Sequence, residues 1–331
     1  MLRWAALFAA VVLVPTGCSS GDVSAPAAPM PSVTSTATPI PRYAAQSTSD
    51  LPPYTTTGYV VRPVPVGKRP FDTGKMLRLD DEREVDSRGV AIWERNGRRY
   101  PHPVVYAQYG LDALNSYRLS RQRLWLNRAI ANGRALLADS VMARGALFFR
   151  YTHTFPLHNR KDDVMTPPWY SAMAQGIALA LFVRLYEQTN DAKWSRAADA
   201  TFASLNLNRT KTGPWVTFVD TSGYLWLEEY AKDPPMRVLN GHNFALFGVW
   251  DYARATGSVP ATSLYDAAAT TVAHYIGSYR RPGQPSRYSL RLGVPNQKYH
   301  RIHTAQLLML ARLTGDTSFS TWSAGFAADF A

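Results

Sequence analysis

The sequence predicts a mainly α-helical protein, an α/α toroid built as an incomplete barrel of helical hairpins, with a small β-rich segment ahead of it. Three observations predict this. From Pro101 onward the apolar residues recur with a helical period, as in Val104, Ala107, Leu111 and Leu114. A weak repeat then occurs three times: a helix ends at Thr189-Asn190, Thr256-Gly257 or Thr314-Gly315, and an aromatic (Trp194, Tyr265 or Phe319) opens the return helix. Finally, 331 residues that are 46% hydrophobic are enough to bury one large core. A single helical hairpin cannot bury its apolar face alone, so repeated hairpins stack and their loops gather into a concave site at one end. An irregular helical bundle is the competing architecture.

Taken in order, the chain opens with MLRWAALFAAVVLVPTGCSS. Arg3 is a positive n-region, Trp4–Val14 an apolar h-region, and Gly17-Cys18 a small-residue cleavage site. Residues 1–18 resemble a bacterial lipoprotein signal with Cys18 as the lipidated residue. The expected setting is the extracytoplasmic cell envelope, anchored to the membrane by lipid. Pro15 departs from the usual lipoprotein pattern, which keeps a plain secretory signal as the alternative. Cys18 is the sole cysteine, and this excludes a disulfide, a thiol nucleophile and a cysteine metal site. Residues 19–57 are rich in Ser, Thr, Pro and Ala and nearly uncharged, a composition that reads as a disordered tether.

Residues 58–100 mix short apolar runs with Pro, Gly and charge, and read as a few short strands with a hairpin at Asn96-Gly97. Residues 101–331 form the toroid. Its first helix covers VVYAQYGLDALNSYRLS. The second runs through 121–144, with Leu126, Ile130, Gly133 and Leu137 on one face. Ala146–Phe155 reads as a strand. A long apolar helix then spans 167–189, with Pro167-Pro168 in its first turn.

Net charge is +12, from 36 Lys+Arg against 24 Asp+Glu. Such a surface attracts polyanions. The basic residues are scattered and no nucleic-acid-binding signature is present, so nucleic acid is not expected; an acidic polysaccharide is an equally good partner for such a surface, and a generally basic proteome is the bland alternative. Aromatics make up 12% of the chain, a content that suits either sugar stacking or a large aromatic core. Chemistry concentrates in Trp226–Trp250, where Glu228, Glu229 and Tyr230 precede Pro234-Pro235 and an apolar helix. A second stretch, Asn296–Leu308, places Tyr299, His300 and His303 at the start of another helix. These two stretches are expected to face each other across one cleft. If Glu228 and Glu229 lie on an extended segment they point to opposite sides, which predicts that Glu228 is solvated surface. His300 and His303 have metal-like spacing but lack a third ligand or an HExxH pattern, so no metal is expected.

Five segments in order carry a more specific resemblance: Tyr106–Leu111, Pro167–Gly176, Trp226–Tyr230, Val238–Tyr252 and the Tyr288–Leu307 region. Together they resemble the C-terminal catalytic domain of the D-glucuronyl C5-epimerases, which convert glucuronic to iduronic acid within heparan-type chains. The resemblance implies proton removal at C5 of a uronic acid and reprotonation on the opposite face, with no metal or redox cofactor. It implies Glu229, Tyr230 and Tyr299 as the acid/base set and Arg291 as the carboxylate-binding arginine. Ser289 stands where the family commonly has Asp. A tyrosine base needs a depressed pKa, for which Arg291, His300 or His303 are the candidate causes. Tyr109, Trp169, Tyr170, Gln175, Asn240 and His242 are further candidates for contacts with the sugar, although Asn240-Gly241 also reads as plain turn chemistry. The family's animal members carry a larger N-terminal β-domain, of which this chain has room for only a remnant, so their dimer architecture does not carry over and a homodimer stays only an option. Two rival functions stay open: a polysaccharide lyase acting on a uronan, and a non-catalytic polysaccharide-binding lipoprotein.

Overall fold

The structure, a computed structural model, describes residues 49–79 and 84–330. The signal at 1–18, Cys18 and most of the expected tether lie outside the described residues.

Among the described residues eight α-helices form four antiparallel hairpins: α1 (Pro103–Ser120) with α2 (Arg123–Ala138), α3 (Ala172–Thr189) with α4 (Ala192–Leu205), α5 (Leu239–Thr256) with α6 (Val259–Tyr279), and α7 (Gln297–Thr314) with α8 (Ser318–Asp329). The first helix of each hairpin also packs on the first helix of the next, so α1, α3, α5 and α7 make an inner arc and their partners an outer layer. This is the predicted toroid, incomplete at four hairpins. Every residue of α3 from Ala172 to Tyr186 is buried, as is α5 from Leu239 to Ala253, because each is packed on both flanks by other helices. The two approach closely: a Cβ on Gly248 would lie 1.9 Å from the Gly176 carbonyl oxygen. No helix among the described residues is long and apolar enough to cross a membrane.

Each hairpin turns at the end away from the site in the same way. Thr189, Thr256 and Thr314 each donate a side-chain bond to the carbonyl four residues back, and each hydroxyl accepts the N–H two residues on. The C-caps Asn190, Gly257 and Gly315 are left-handed, the conformation Gly and Asn tolerate best. Ser120 does the same for α1, with Arg121 as a left-handed cap, so the repeat has a fourth member that the Thr-Gly pattern did not reveal.

At the opposite end, two-stranded hairpins lie in the links from α2 to α3 and from α4 to α5, while α6 connects to α7 through residues 280–296, which hold isolated bridges of Arg287 with Pro295 and of Ser289 with Val238. β3 (Ser140–Ala143) pairs with β4 (Ala146–Phe149), β5 (Phe155–Pro156) with β6 (Val164–Met165), and β7 (Thr217–Val219) with β8 (Leu225–Leu227). This corrects two expectations. The second helix stops at Ala138, and 140–143 is strand, because β4 is fully buried and needs an edge partner. The helix expected from Pro167 begins only at Ala172, capped by the Ser171 hydroxyl; Trp169 is instead bridged to Tyr151 in extended chain. In the N-terminal segment, β1 (Glu94–Arg95) and β2 (Arg98–Arg99) form the expected hairpin around Asn96-Gly97, both with positive φ. The rest of 58–100 is largely irregular.

Residues 49–57, read from composition as part of the tether, are extended but fastened to the toroid. Asp50 pairs with Arg144, Thr55 donates its N–H to Gly223 O, and the N–H groups of Thr57 and Gly58 bond the Asp266 carboxylate. Backbone groups found partners that composition could not display.

Candidate active site

The site lies at the end of the toroid where the β-hairpins gather. β8 ends at Leu227; Glu228 follows it directly and the chain bends at Glu229 and Tyr230, and the two glutamate side chains go separate ways. Glu228 turns into the 231–238 loop, where its carboxylate accepts the N–H groups of Met236 at 2.9 Å and Arg237 at 2.6 Å. It is fully buried, not solvated surface, because loop 231–238 folds over that face of the strand; its role is to hold the loop. Glu229 faces the other way, against the first turn of α5. Asn240-Gly241 is therefore helix rather than turn, and Gly241 is there to make room: a Cβ at 241 would lie 2.3 Å from the Glu229 Oε2 atom.

Glu229 accepts the Tyr288 hydroxyl at 3.0 Å and the Asn240 side-chain amide at 3.3 Å. The hydroxyls of Tyr288 and Tyr230 are 3.2 Å apart, and the Tyr299 ring lies 4.4 Å from that of Tyr288. Four residues from three separate segments thus form one cluster, with Glu229 and Tyr288 buried and Tyr230 and Tyr299 partly exposed, and its hub, Tyr288, was not among the expected site residues. The signal that could have found it is its place three residues before Arg291 in a quoted segment.

Burial pushes the Glu229 carboxyl up to about 7, against the bonds from Tyr288, Tyr230 and Asn240 that favour the anion. Burial likewise raises Glu228 to about 7. The phenols of Tyr230, Tyr288 and Tyr299 are raised, first by burial and then by the charge of Glu229. The depressed tyrosine pKa expected from nearby cations is thus reversed. A phenol held this way keeps its proton at neutral pH and donates; Glu229 is the member of the cluster able to accept one.

Cations sit at the margin. Arg291 Nη1 is 3.3 Å from the Asp163 carboxylate, and Lys232 Nζ pairs with the same carboxylate. Asp163 belongs to the β5–β6 hairpin, whose Phe155 stacks on Tyr230 (5.8 Å, 14°) and whose His158 meets Tyr288 edge-on at 5.0 Å. Among the described residues no group of His, Cys, Asp and Glu is arranged to hold a metal ion.

Residues 145–327, more than half of the chain, match the family described as D-glucuronyl C5-epimerase C-terminus. The chain belongs to this family. It is 28% identical to the D-glucuronyl C5-epimerase of Caenorhabditis elegans over 176 residues, covering 47% of this chain and 28% of the worm protein. It is also 28% identical to an uncharacterised protein of Methanocaldococcus jannaschii over 171 residues, 51% of this chain and 54% of that one. The chain therefore spans about half or less of the curated relatives it matches. Among solved structures it is similar in fold to a D-mannose isomerase, with a TM-score of 0.50 at 10% identity, covering 73% of this chain and 63% of that one.

The epimerase-family chain puts the remaining expected site residues in several places. Asn240 and Arg291 are at the cluster or its margin, as above. Trp169 is buried and stacked on Tyr151 at 3.7 Å, 6.0 Å from Tyr230, so it forms the wall behind the cluster rather than an open platform. Tyr170, half-buried, packs on Phe148. Five others are structural. Tyr109 takes a bond from Arg128 between α1 and α2. Gln175 pins β4 through Phe149 N, Leu147 O and the Ser204 hydroxyl. His242 accepts Leu227 N and bonds Ala268 O, and burial lowers it to about 4. His300 and His303 both bond Ser286, and His300 stacks on Phe326 of α8. A helical start places consecutive residues about a third of a turn apart, which separates Tyr299 from His300.

Proposed function

We propose that this chain is a carbohydrate C5-epimerase that converts D-glucuronic acid to L-iduronic acid residues in a uronic-acid-containing polysaccharide. The observation that carries this reading is the cluster of Glu229, Tyr230, Tyr288 and Tyr299 beside the cations of Arg291 and Lys232. Inversion at C5 needs an acceptor for a weakly acidic proton, a donor on the other face, and positive charge near the carboxylate as electron density builds there. Glu229, near half-ionised at neutral pH, accepts; Tyr288 hydrogen-bonds to it and passes the C5 proton inward, its own proton moving to Glu229 as it receives the new one. Tyr230, whose hydroxyl lies 3.2 Å from that of Tyr288, belongs to the same side as Glu229, and Tyr299, held protonated, is the donor for the opposite face. Arg291 and Lys232 receive the uronate carboxylate. The similarity to the worm epimerase and the basic balance of the chain support an acidic polymer as substrate.

Incubation with glucuronan-type polymers in D2O should place deuterium at C5, and no incorporation with any such polymer sinks the reading. An ultraviolet-absorbing unsaturated product would assign a lyase instead. Tyr288→Phe should slow incorporation by about 10²–10⁴-fold, the usual weight of a positioned proton-transfer group. Full activity in that variant would remove Tyr288 from the relay.

A further inference from the structure

We propose that Asp163 is a built-in carboxylate surrogate, held by Arg291 and Lys232 in the place of the ligand's carboxylate, and that an acidic sugar enters by exchange for it. This rests on the functional reading above only for the class of ligand.

The Asp163 side chain is 6% exposed and carries the only ion pair of Arg291 among the described residues. Its two cationic partners come from two other loops, whereas Asp163 comes from the β5–β6 hairpin. That hairpin is lightly built. Its ladder is two residue pairs long, and its tip is exposed at Arg160 and Asp162. Yet it covers the cluster, with Phe155 on Tyr230 and His158 on Tyr288. The ion pairs of Asp163 are thus the strongest polar tie between the cover and the site floor. A planar guanidinium is shaped for a carboxylate, and any carboxylate serves.

Electrostatics then sets selectivity. A uronate replacing Asp163 leaves the charge count at Arg291 and Lys232 unchanged, while Asp163 moves out into water and its hairpin lifts from Tyr230 and Tyr288. A neutral sugar that displaced Asp163 would strand two half-buried cations without a partner, a cost that disfavours it. Asp163 is therefore a positioning residue: a ligand carboxylate must compete with it for Arg291 and Lys232, whereas a sugar without a carboxylate leaves it in place.

The test uses the full chain, a glucuronate oligosaccharide and its carboxyl-reduced counterpart. Asp163→Asn should bind the acidic ligand about five- to tenfold more tightly by calorimetry, because the competing internal state is removed. Binding of the reduced ligand should not tighten. Without ligand, amide hydrogen exchange across 155–165 should speed up in the variant. Equal tightening of both ligands, no tightening of the acid, or unchanged exchange overturns the proposal. Asp163→Ser is run alongside, and unfolding of both variants would make Asp163 a plain structural anchor and likewise overturn it. Binding is read without turnover, so a chain that binds the acid but puts no deuterium at C5 would sink the epimerase reading alone.

Discussion

Tyr288 stands between Glu229 and Tyr230 because three chain segments meet there, and none of the three specifies the meeting by itself. Glu229 and Tyr230 were readable from WLEEY, and Tyr299 from its segment at a helix start. Their pKa values were not, since each is set by how much water the neighbours exclude. The pH behaviour follows from that burial. The Glu229 carboxyl rises from 4.5 in water to about 7 in the fold, so the folded state holds a proton that the unfolded chain releases. Its contribution to stability is present in full below about pH 4.5 and is lost as pH climbs through about 7. Activity runs the other way: as the base, Glu229 should make kcat/KM for deuterium incorporation rise with a midpoint near 7. Glu228 titrates in the same range, so the profile belongs to the pair. Glu229→Gln should remove most of the rate and flatten both profiles. A retained midpoint in that variant would assign it to Glu228.

At the scale of elements, the helices were legible where a local rule sufficed. The Thr-Gly and Thr-Asn ends read from sequence are the caps that turn three of the hairpins. The same motif with Ser120-Arg121 escaped notice, because the serine bonding is identical but the residue types differ. Strand 140–143 escaped because its sequence, SVMA, suits either state, and only the exposed edge of β4 decides. The α3–α5 crossing depends on glycine in a way a sequence reading cannot see. With the Gly176 carbonyl 1.9 Å from a Cβ at 248, backbone meets backbone and nothing nearby can give way. Gly248→Ala should cost about 1–3 kcal/mol or more, the range for overpacking. It should also misalign Glu229, which packs on Gly241 about two turns earlier in the same helix. A thermal midpoint unchanged from the parent would show that the crossing has slack.

Across the whole molecule, the N-terminal segment acts as a strap. From Asp50 at the site end it runs along α6, then under the toroid, where Phe71 stacks on Phe244 and Arg184 reaches up to meet it. Arg184 joins α3 to Asp251 of α5 at 2.6 Å, to Asp72 of the strap at 2.8 Å, and to the Pro70 carbonyl at 2.5 Å. Removing it leaves two buried carboxylates short of a cation. Arg184→Met should cost about 3–5 kcal/mol in denaturant unfolding. It should also open the strap to proteolysis near Asp72 before the helices melt; a loss below about 1 kcal/mol would show that Arg254 alone balances Asp251.

The sequence by itself determined what is local or short in range: helical period, the capped turns, the Asn96-Gly97 hairpin, and the two stretches that hold Glu229, Tyr230 and Tyr299. Hydrophobic spacing and cap chemistry act within a few residues, so they survive reading one residue at a time. Tertiary structure alone decided which way each polar side chain faces. It buried Glu228 as a loop clamp, turned His300 toward α8 and His303 toward Ser286, made Tyr288 the hub and set Asp163 against Arg291. These outcomes depend on what covers a strand or helix face, and the covering chain lies tens of residues away in sequence.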